Sequence, residues 1–419
     1  MTFGSGPGVR ELPSSASASA PRSAGAGSID RGLATLLARG LGGVPLVLQL
    51  WDGREIASSR EAPRYRVRIS SRRTLVELLA HPQLCFGERY ADGSVEIDGS
   101  LPDLLSEIYR ATGEPRGLHV WIDRIAAQVR RIDPRHSREN VHHHYDLGNE
   151  FYRLWLDERM LYTCAYFPTR DAILEEAQLA KMDHVCRKLR LKRDDEVIEA
   201  GCGWGALALH MARAYGAKVR AFNLSSEQVA WARERAKREG LEGRVQFIED
   251  DYRAASGRCD AFVSVGMLEH VGLRGYRTLG RLIRGVLRPD GRGLVHSIGR
   301  DHPAPINAWI RRRIFPGSYT PSLAQMMEIF EPNGLAVVDV ENLRPHYART
   351  LEHWLARYEA ALPQVRRMFD ERFVRTWRLY LAGSVAAFRT GSMQLFQVLF
   401  THPGSDALPA TRADIYEHR

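Results

Sequence analysis

Glu196-Val-Ile-Glu-Ala-Gly-Cys-Gly-Trp-Gly205, followed by Ala206-Leu-Ala-Leu-His-Met-Ala-Arg-Ala-Tyr215, decides the fold of this chain. The first five residues form a short, mostly apolar strand. Three glycines on alternate positions then lead into a helix with apolar residues at helical spacing. Glycine at a strand-to-helix turn lets the backbone approach a ligand, and the helix N-terminus presents free N–H groups. Two ligand classes compete. A dinucleotide site carries G-x-G-x-x-G and an acid about 20 residues on. Here the glycines are spaced G-x-G-x-G, Glu199 stands just ahead, and the next strand ends on Asn223. An acid-x-G-x-G-x-G turn points to S-adenosylmethionine (AdoMet). A tight turn with no ligand is the remaining alternative.

Outward from this stretch the rhythm continues. Residues 218–222, 245–248, 261–265 and 293–298 read as strands, with helices over Ser226–Arg238 and residues 276–287 between them. Strands alternating with helices predict βαβ units and a parallel sheet covered on both faces. Residues 303–322 interrupt the rhythm as an inserted cap, 350–390 read as long amphipathic helices, and 393–400 as a closing strand. The expected fold is α/β, a Rossmann-like AdoMet methyltransferase sheet with a helical cap, over residues 141–419. Ahead of it lie a disordered tail rich in Ser, Ala, Gly and Pro (1–28), a small α+β domain (29–115) and a charged linker (116–140).

Composition narrows the class. With 44% hydrophobic and 26% charged residues in 419, the chain builds a core and is neither disordered throughout nor fibrous. No run approaches the ~20 apolar residues of a spanning helix. Five scattered cysteines make no disulfide framework and suit a reducing compartment, and no secretory signal is read at the N-terminus. The net charge is +9, from 54 Arg and five Lys against 50 acids. Either an anionic partner or a coding preference for Arg accounts for that balance.

Three further blocks carry a resemblance: His144-Tyr-Asp-Leu-Gly-Asn149 with Met160-Leu-Tyr-Thr-Cys-Ala-Tyr-Phe167, then Gly266-Met-Leu-Glu-His-Val-Gly272, then His296-Ser-Ile-Gly299. In this order they resemble the cyclopropane-fatty-acyl-phospholipid synthases and their mycolic-acid relatives, continuously over residues 141–400. Phe86-Gly-Glu-Arg-Tyr-Ala-Asp-Gly93 extends the likeness weakly into the small domain. The resemblance implies transfer of the AdoMet methyl group to a cis double bond of a lipid acyl chain. A carbocation results, the new methyl loses a proton, and the ring closes. An alkene is a weak nucleophile, so positioning must supply much of the barrier lowering, and water must be kept from the cation.

The resemblance also implies a bound bicarbonate as the base. Carried over residue by residue, its site comprises Cys164, Glu269, His296 and Tyr347, with a backbone contact from Ile298. Glu269 and His296 would orient it and tune its protonation, and Cys164 and Tyr347 would add neutral hydrogen bonds. AdoMet contacts are implied for Tyr162, Thr163, Gly201, Gly203, Asn223, Leu224 and Gln228, with Asp251 and Tyr252 beside the adenine. The family commonly has Ser at Thr163, Thr at Asn223 and a second glycine at Ser318. The last departure borders the acyl opening and bears on substrate choice. Taken alone, Cys164 reads equally as a buried small apolar residue, as Cys186 and Cys202 do. His142, His143 and His144 are adjacent and cannot all face one ion, so no metal is expected. His144 belongs to the block that closes over the AdoMet pocket, and Tyr145 is a candidate wall of it.

An acyl chain in a bilayer must be reached from outside. The enzyme is therefore expected in the cytoplasm, peripherally attached to the inner face of the membrane. Trp309-Ile-Arg-Arg-Arg-Ile-Phe315 suits an interfacial contact with anionic lipid, or equally a solvated basic helix with a buried apolar face. The small domain would add lipid affinity or a homodimer contact, and no nucleic-acid partner is expected. Alternatives are a methyl- or methylene-branching enzyme with the same chemistry, a small-molecule or nucleic-acid methyltransferase, and a lipid-binding protein without catalysis. The second leaves the Cys164, Glu269, His296 and Tyr347 set unexplained.

Overall fold

The computed structural model describes residues 25–112 and 147–416. Most of the tail, the linker over 116–140, His142, His143, His144 and Tyr145 lie outside the described residues. The small domain contains α1 (Ser28–Gly40), β1 (Leu46–Gln49), β2 (Glu55–Ala57), β3 (Tyr65–Ile69), α2 (Arg72–Ala80), α3 (Pro82–Ala91), β4 (Val95–Asp98) and α4 (Leu101–Thr112). Its sheet order is β2-β1-β3-β4, with β1 and β3 parallel and the other neighbours antiparallel. On β3 the alternation Tyr65-Arg-Val-Arg-Ile69 buries Tyr65, Val67 and Ile69 and exposes both arginines, as a half-buried strand requires.

The large domain continues with α5 (Asn149–Arg153), α6 (Leu174–Lys188), β5 (Glu196–Ala200), α7 (Ala206–Tyr215), β6 (Lys218–Asn223), α8 (Ser226–Arg238), β7 (Val245–Glu249), β8 (Cys259–Val265), α9 (Leu273–Val286) and β9 (Leu287–Gly299). After the cap helix α10 (Ala308–Arg313) come β10 (Ala336–Asn342), α11 (Arg344–Ala360), α12 (Glu371–Thr390) and β11 (Gln394–Thr401). The sheet order is β10-β11-β9-β8-β5-β6-β7. Strands β5 to β9 are parallel, as their βαβ pattern predicts. β11 inserts antiparallel against β9, and β10 antiparallel against β11, so the sheet is mixed. Both α6 and β10 are additions to the elements the pattern predicts. β10 is an edge strand whose seven residues alternate only between half-buried and exposed, so no clean apolar face marks it.

Helix α7 is framed by glycines at both ends: Gly205 at φ 81° and Gly216 at φ 69°. A Cβ on Gly205 would stand 2.6 Å from Phe247 and 2.8 Å from Ala232, so only glycine lets α7 start against β7 and α8. The chain runs outward from β5 to β7, then returns to β8 on the other side of β5. Ligands bind at such a switch point, beyond the carboxyl ends of the strands.

The segment 86–93 lies on and just after α3 and forms the seam between the domains. Gly87 admits the Trp309 ring of α10, where a Cβ would lie 2.4 Å from it. Glu88 receives both Arg313, as a two-bond fork at 2.6 and 2.8 Å, and Arg372 of α12 at 2.8 Å. Arg375 reaches back from α12, with its guanidinium 4.4 Å from the Tyr90 ring centre. Trp309 and Ile314 are therefore buried, at 4% and 2% exposure. Of the two readings of Trp309–Phe315, this is the basic helix with a buried apolar face rather than an apolar interfacial contact. The apolar face of α10 packs on α3 and the core, and what it leaves outward is basic.

Candidate donor cleft and adjoining buried polar cluster

One cleft opens at the switch point between β5 and β8. Tyr162, Thr163, Gly201, Gly203, Asn223, Leu224, Gln228, Asp251 and Tyr252 all line it. A Cβ at Gly203 would meet nothing within 4 Å, so the turn presents bare backbone to the cleft. Asn223 ties the turn to α8: its side-chain amide donates to the Gly203 carbonyl at 3.1 Å and to Gln228 Oε1 at 2.8 Å. Asp251 accepts from the Arg253 backbone N–H at 2.9 Å, and the Arg253 guanidinium lies over the Tyr252 ring. Asn149, the last residue of the 144–149 block, accepts from the Trp204 indole at 2.6 Å and so pins that block's end to the glycine turn.

Tyr162 bridges the cleft and the core. Its hydroxyl meets that of Tyr380 at 2.7 Å, and its ring lies 5.2 Å from Trp155 and 5.3 Å from Trp354 between centres. Tyr152, Trp204 and Trp377 extend this aromatic wall. Such ring faces stabilise a nearby cation.

Next to the wall lies a set of buried polar groups. Glu269 Oε1 accepts the Ile298 backbone N–H at 2.7 Å, while Oε2 is buried without a partner among the described residues. Burial pushes this carboxyl up to about 6, against the lowering effect of that backbone N–H. The N–H of Ile298 is thus already engaged, which differs from its expected contact with a bound anion. His296 is 1% exposed; its Nδ1 meets the Gln397 amide at 3.0 Å and its Nε2 is buried and unpartnered among the described residues. Burial drives its pKa down to about 3, so the ring is neutral. In this amide orientation Gln397 donates to Nδ1, which leaves the proton on Nε2 as a donor.

Cys164 and Tyr347 meet at Leu343. The Leu343 carbonyl accepts the Tyr347 N–H at 3.1 Å and lies 4.0 Å from the Cys164 thiol. Both side chains share one apolar core cluster, against which Ile298 packs. Burial raises the Cys164 thiol far above its ordinary value, so it stays protonated. The structure therefore joins Glu269 to Ile298, brings the Cys164 thiol and the Tyr347 backbone N–H to one carbonyl while the thiol's shorter bond goes to the Ala165 carbonyl at 3.2 Å, and places His296 two residues from Ile298 on β9. Cys186 and Cys202 are buried in the opposite core cluster.

Sequence reasoning missed α6 and the aromatic wall. On α6, Leu174, Ala177, Gln178, Lys181, Met182 and Val185 form one inward stripe. Gln178 donates to the Thr163 carbonyl at 2.9 Å and Lys181 to the Thr163 hydroxyl at 2.9 Å. The available signal was two polar residues at positions that helical period assigns to the core.

A seven-stranded sheet with its glycine turn at the switch point defines an AdoMet-dependent methyltransferase. Solved structures agree. Mycolic acid cyclopropane synthase CmaA1, complexed with S-adenosylhomocysteine (SAH) and CTAB, is 31% identical with a TM-score of 0.60, over 63% of this chain and 97% of its own. The cyclopropane synthase MmaA2 from Mycobacterium tuberculosis is 29% identical with a TM-score of 0.61, over 65% and 99%. The family model described as mycolic acid cyclopropane synthetase matches residues 132–398, and a domain of unknown function matches 34–115. The chain belongs to the mycolic acid cyclopropane synthetase family. A probable fatty acid methyltransferase of Pseudomonas putida is 38% identical over 89% of this chain and 96% of its own length. The cyclopropane-fatty-acyl-phospholipid synthase of Escherichia coli (strain K12) is 35% identical over 85% and 93%.

Proposed function

We propose that this enzyme methylates a cis double bond of an unsaturated phospholipid acyl chain and closes it to a cyclopropane, with bicarbonate as the base. AdoMet supplies an electrophilic methyl group, and bicarbonate an acceptor for the proton lost at ring closure. The single observation that carries the reading is that buried Glu269 and His296, each with an unused polar atom, adjoin residues of the donor cleft: His270 follows Glu269, and Gly266 donates its N–H to the His296 carbonyl at 2.9 Å. Orphaned polar atoms inside a core are costly and call for a ligand.

The residues fit these groups. Gly203 and Asn223 would hold the donor by backbone and amide contacts. His296 is neutral and would donate from Nε2 to an anion. Glu269, with a pKa of about 6, takes up a proton at low cost and so tolerates an anion beside Oε2. The protonated Cys164 thiol and the Tyr347 hydroxyl would donate without adding charge. Tyr162 and its neighbours would shield a carbocation from water and face it with π density.

A phospholipid substrate is supported by the length of the match to the phospholipid synthase, which includes the small domain. No helix among the described residues is long and apolar enough to cross a membrane, so the chain would reach lipid from the surface. A second reading is a methyl- or methylene-branched product, for which the P. putida relative's name, a probable fatty acid methyltransferase, leaves room. Incubation with labelled AdoMet and unsaturated phospholipid vesicles, followed by mass spectrometry, tests both. A gain of one methylene unit that resists mild hydrogenation and ozone supports the ring. A product cleaved by ozone establishes the methylene alternative, and no lipid label overturns the proposal.

A further inference from the structure

Lys181 is the most deeply buried cation at the donor cleft, with 1% of its surface exposed. An ammonium group has three N–H donors. One goes to the Thr163 hydroxyl at 2.9 Å, and among the described residues it has no other hydrogen-bond partner. A buried charge with most of its donors unused is costly unless a ligand completes it. The nearest carboxyls are Asp157 and Glu199, and burial raises Glu199 to about 8, so near neutrality it offers little countercharge. Asp157 is committed to the backbone N–H groups of Leu161 and Arg159. Glu199 lines the same cleft, 2% exposed, with Oε2 unpartnered among the described residues.

The donor molecule is zwitterionic at its amino-acid end, and its carboxylate needs a cation or several N–H donors. Arg253 also lines the cleft, but it is paired with Asp251 at 3.1 Å and lies over Tyr252. That leaves Lys181, already tied to Thr163, which lines the cleft with it away from Asp251 and Tyr252, where the adenine is expected. We propose that Lys181 binds the carboxylate of AdoMet, and that its bond to Thr163 sets the position of both groups. This role rests on the donor reading above. It makes α6 part of the donor site, with Gln178 and Lys181 holding the backbone and the side chain of the same residue. Burial lowers the Lys181 pKa to about 8, so an anion beside it also secures its charge near neutrality.

The test compares two ligands on the full chain by calorimetry. SAH carries the amino-acid end, whereas 5′-methylthioadenosine lacks it and keeps the adenosine. Lys181→Met is expected to weaken SAH by about 10- to 100-fold, the usual range for a charge-assisted bond. Its affinity for methylthioadenosine should stay within about twofold, which also shows that the cleft is folded. Equal losses for both ligands, or no loss for either, overturn the proposal. Should Lys181→Met fail to fold, Lys181→Gln carries the same comparison, because it keeps a hydrogen bond to Thr163 without the charge. Failure of the unsubstituted protein to bind SAH would instead overturn the donor reading itself.

Discussion

At Glu269, function and stability pull in opposite directions. Its folded pKa of about 6 lies above the ordinary carboxylate value, so folding favours its protonated form. That stabilisation is full below the unfolded pKa and is lost as pH rises through about 6; at pH 8 an ionised carboxylate is held in the core at a cost of about 2 kcal/mol. Glu269→Gln keeps an acceptor for the Ile298 N–H and removes the charge. It should lower turnover by about 100-fold or more while SAH affinity changes less than about threefold. Its apparent melting temperature should exceed that of the parent at pH 8, and the advantage should vanish near pH 4. A melting temperature below the parent's at pH 8 would show that the carboxylate is a structural anchor instead. Cys164→Ser should likewise cut turnover far more than SAH affinity, measured in the same two assays.

Among the elements, α3 and α10 show how one missing side chain joins two domains. A methyl group at Gly87 meets the Trp309 ring, which is buried and has little room to yield. Gly87→Ala should destabilise the seam by about 1–3 kcal/mol, the common range for overpacking. Limited proteolysis should then release the small domain faster, and activity on vesicles should fall. Gly32 in α1 is the matched control: a Cβ there meets nothing within 4 Å. Gly32→Ala should stabilise by about 0.5–1 kcal/mol and leave the proteolysis of the seam unchanged. Helix α6 teaches the complementary lesson. Gln178 and Lys181 look like surface residues by type; the period of α6 marks their positions as inward, and its packing beside residues 161–163 decides what they meet.

Over the whole molecule, the proposed work at anionic lipid would draw on the net charge of +9 rather than on the buried apolar face of α10. Binding to vesicles rich in phosphatidylglycerol should therefore weaken steeply between about 0.05 and 0.5 M salt, as exposed charges are screened. Co-sedimentation across that range checks it, and salt-independent binding would point to an apolar contact.

The sequence by itself determined the succession of strands β5 to β9 and the glycine turn, while the nine cleft residues came from the family resemblance of its motifs. These are local matters: apolar period, turn chemistry and motif spacing are set within about ten residues. The tertiary structure alone decided the rest. It placed β10 at the sheet edge, spent the Ile298 N–H on Glu269, buried Trp309 in the seam, gathered the aromatic wall and turned Lys181 into the cleft. Most of these depend on a partner tens to hundreds of residues away, which packing and the desolvation of polar atoms choose; the period of α6 marks Lys181 as inward but does not say what it meets there.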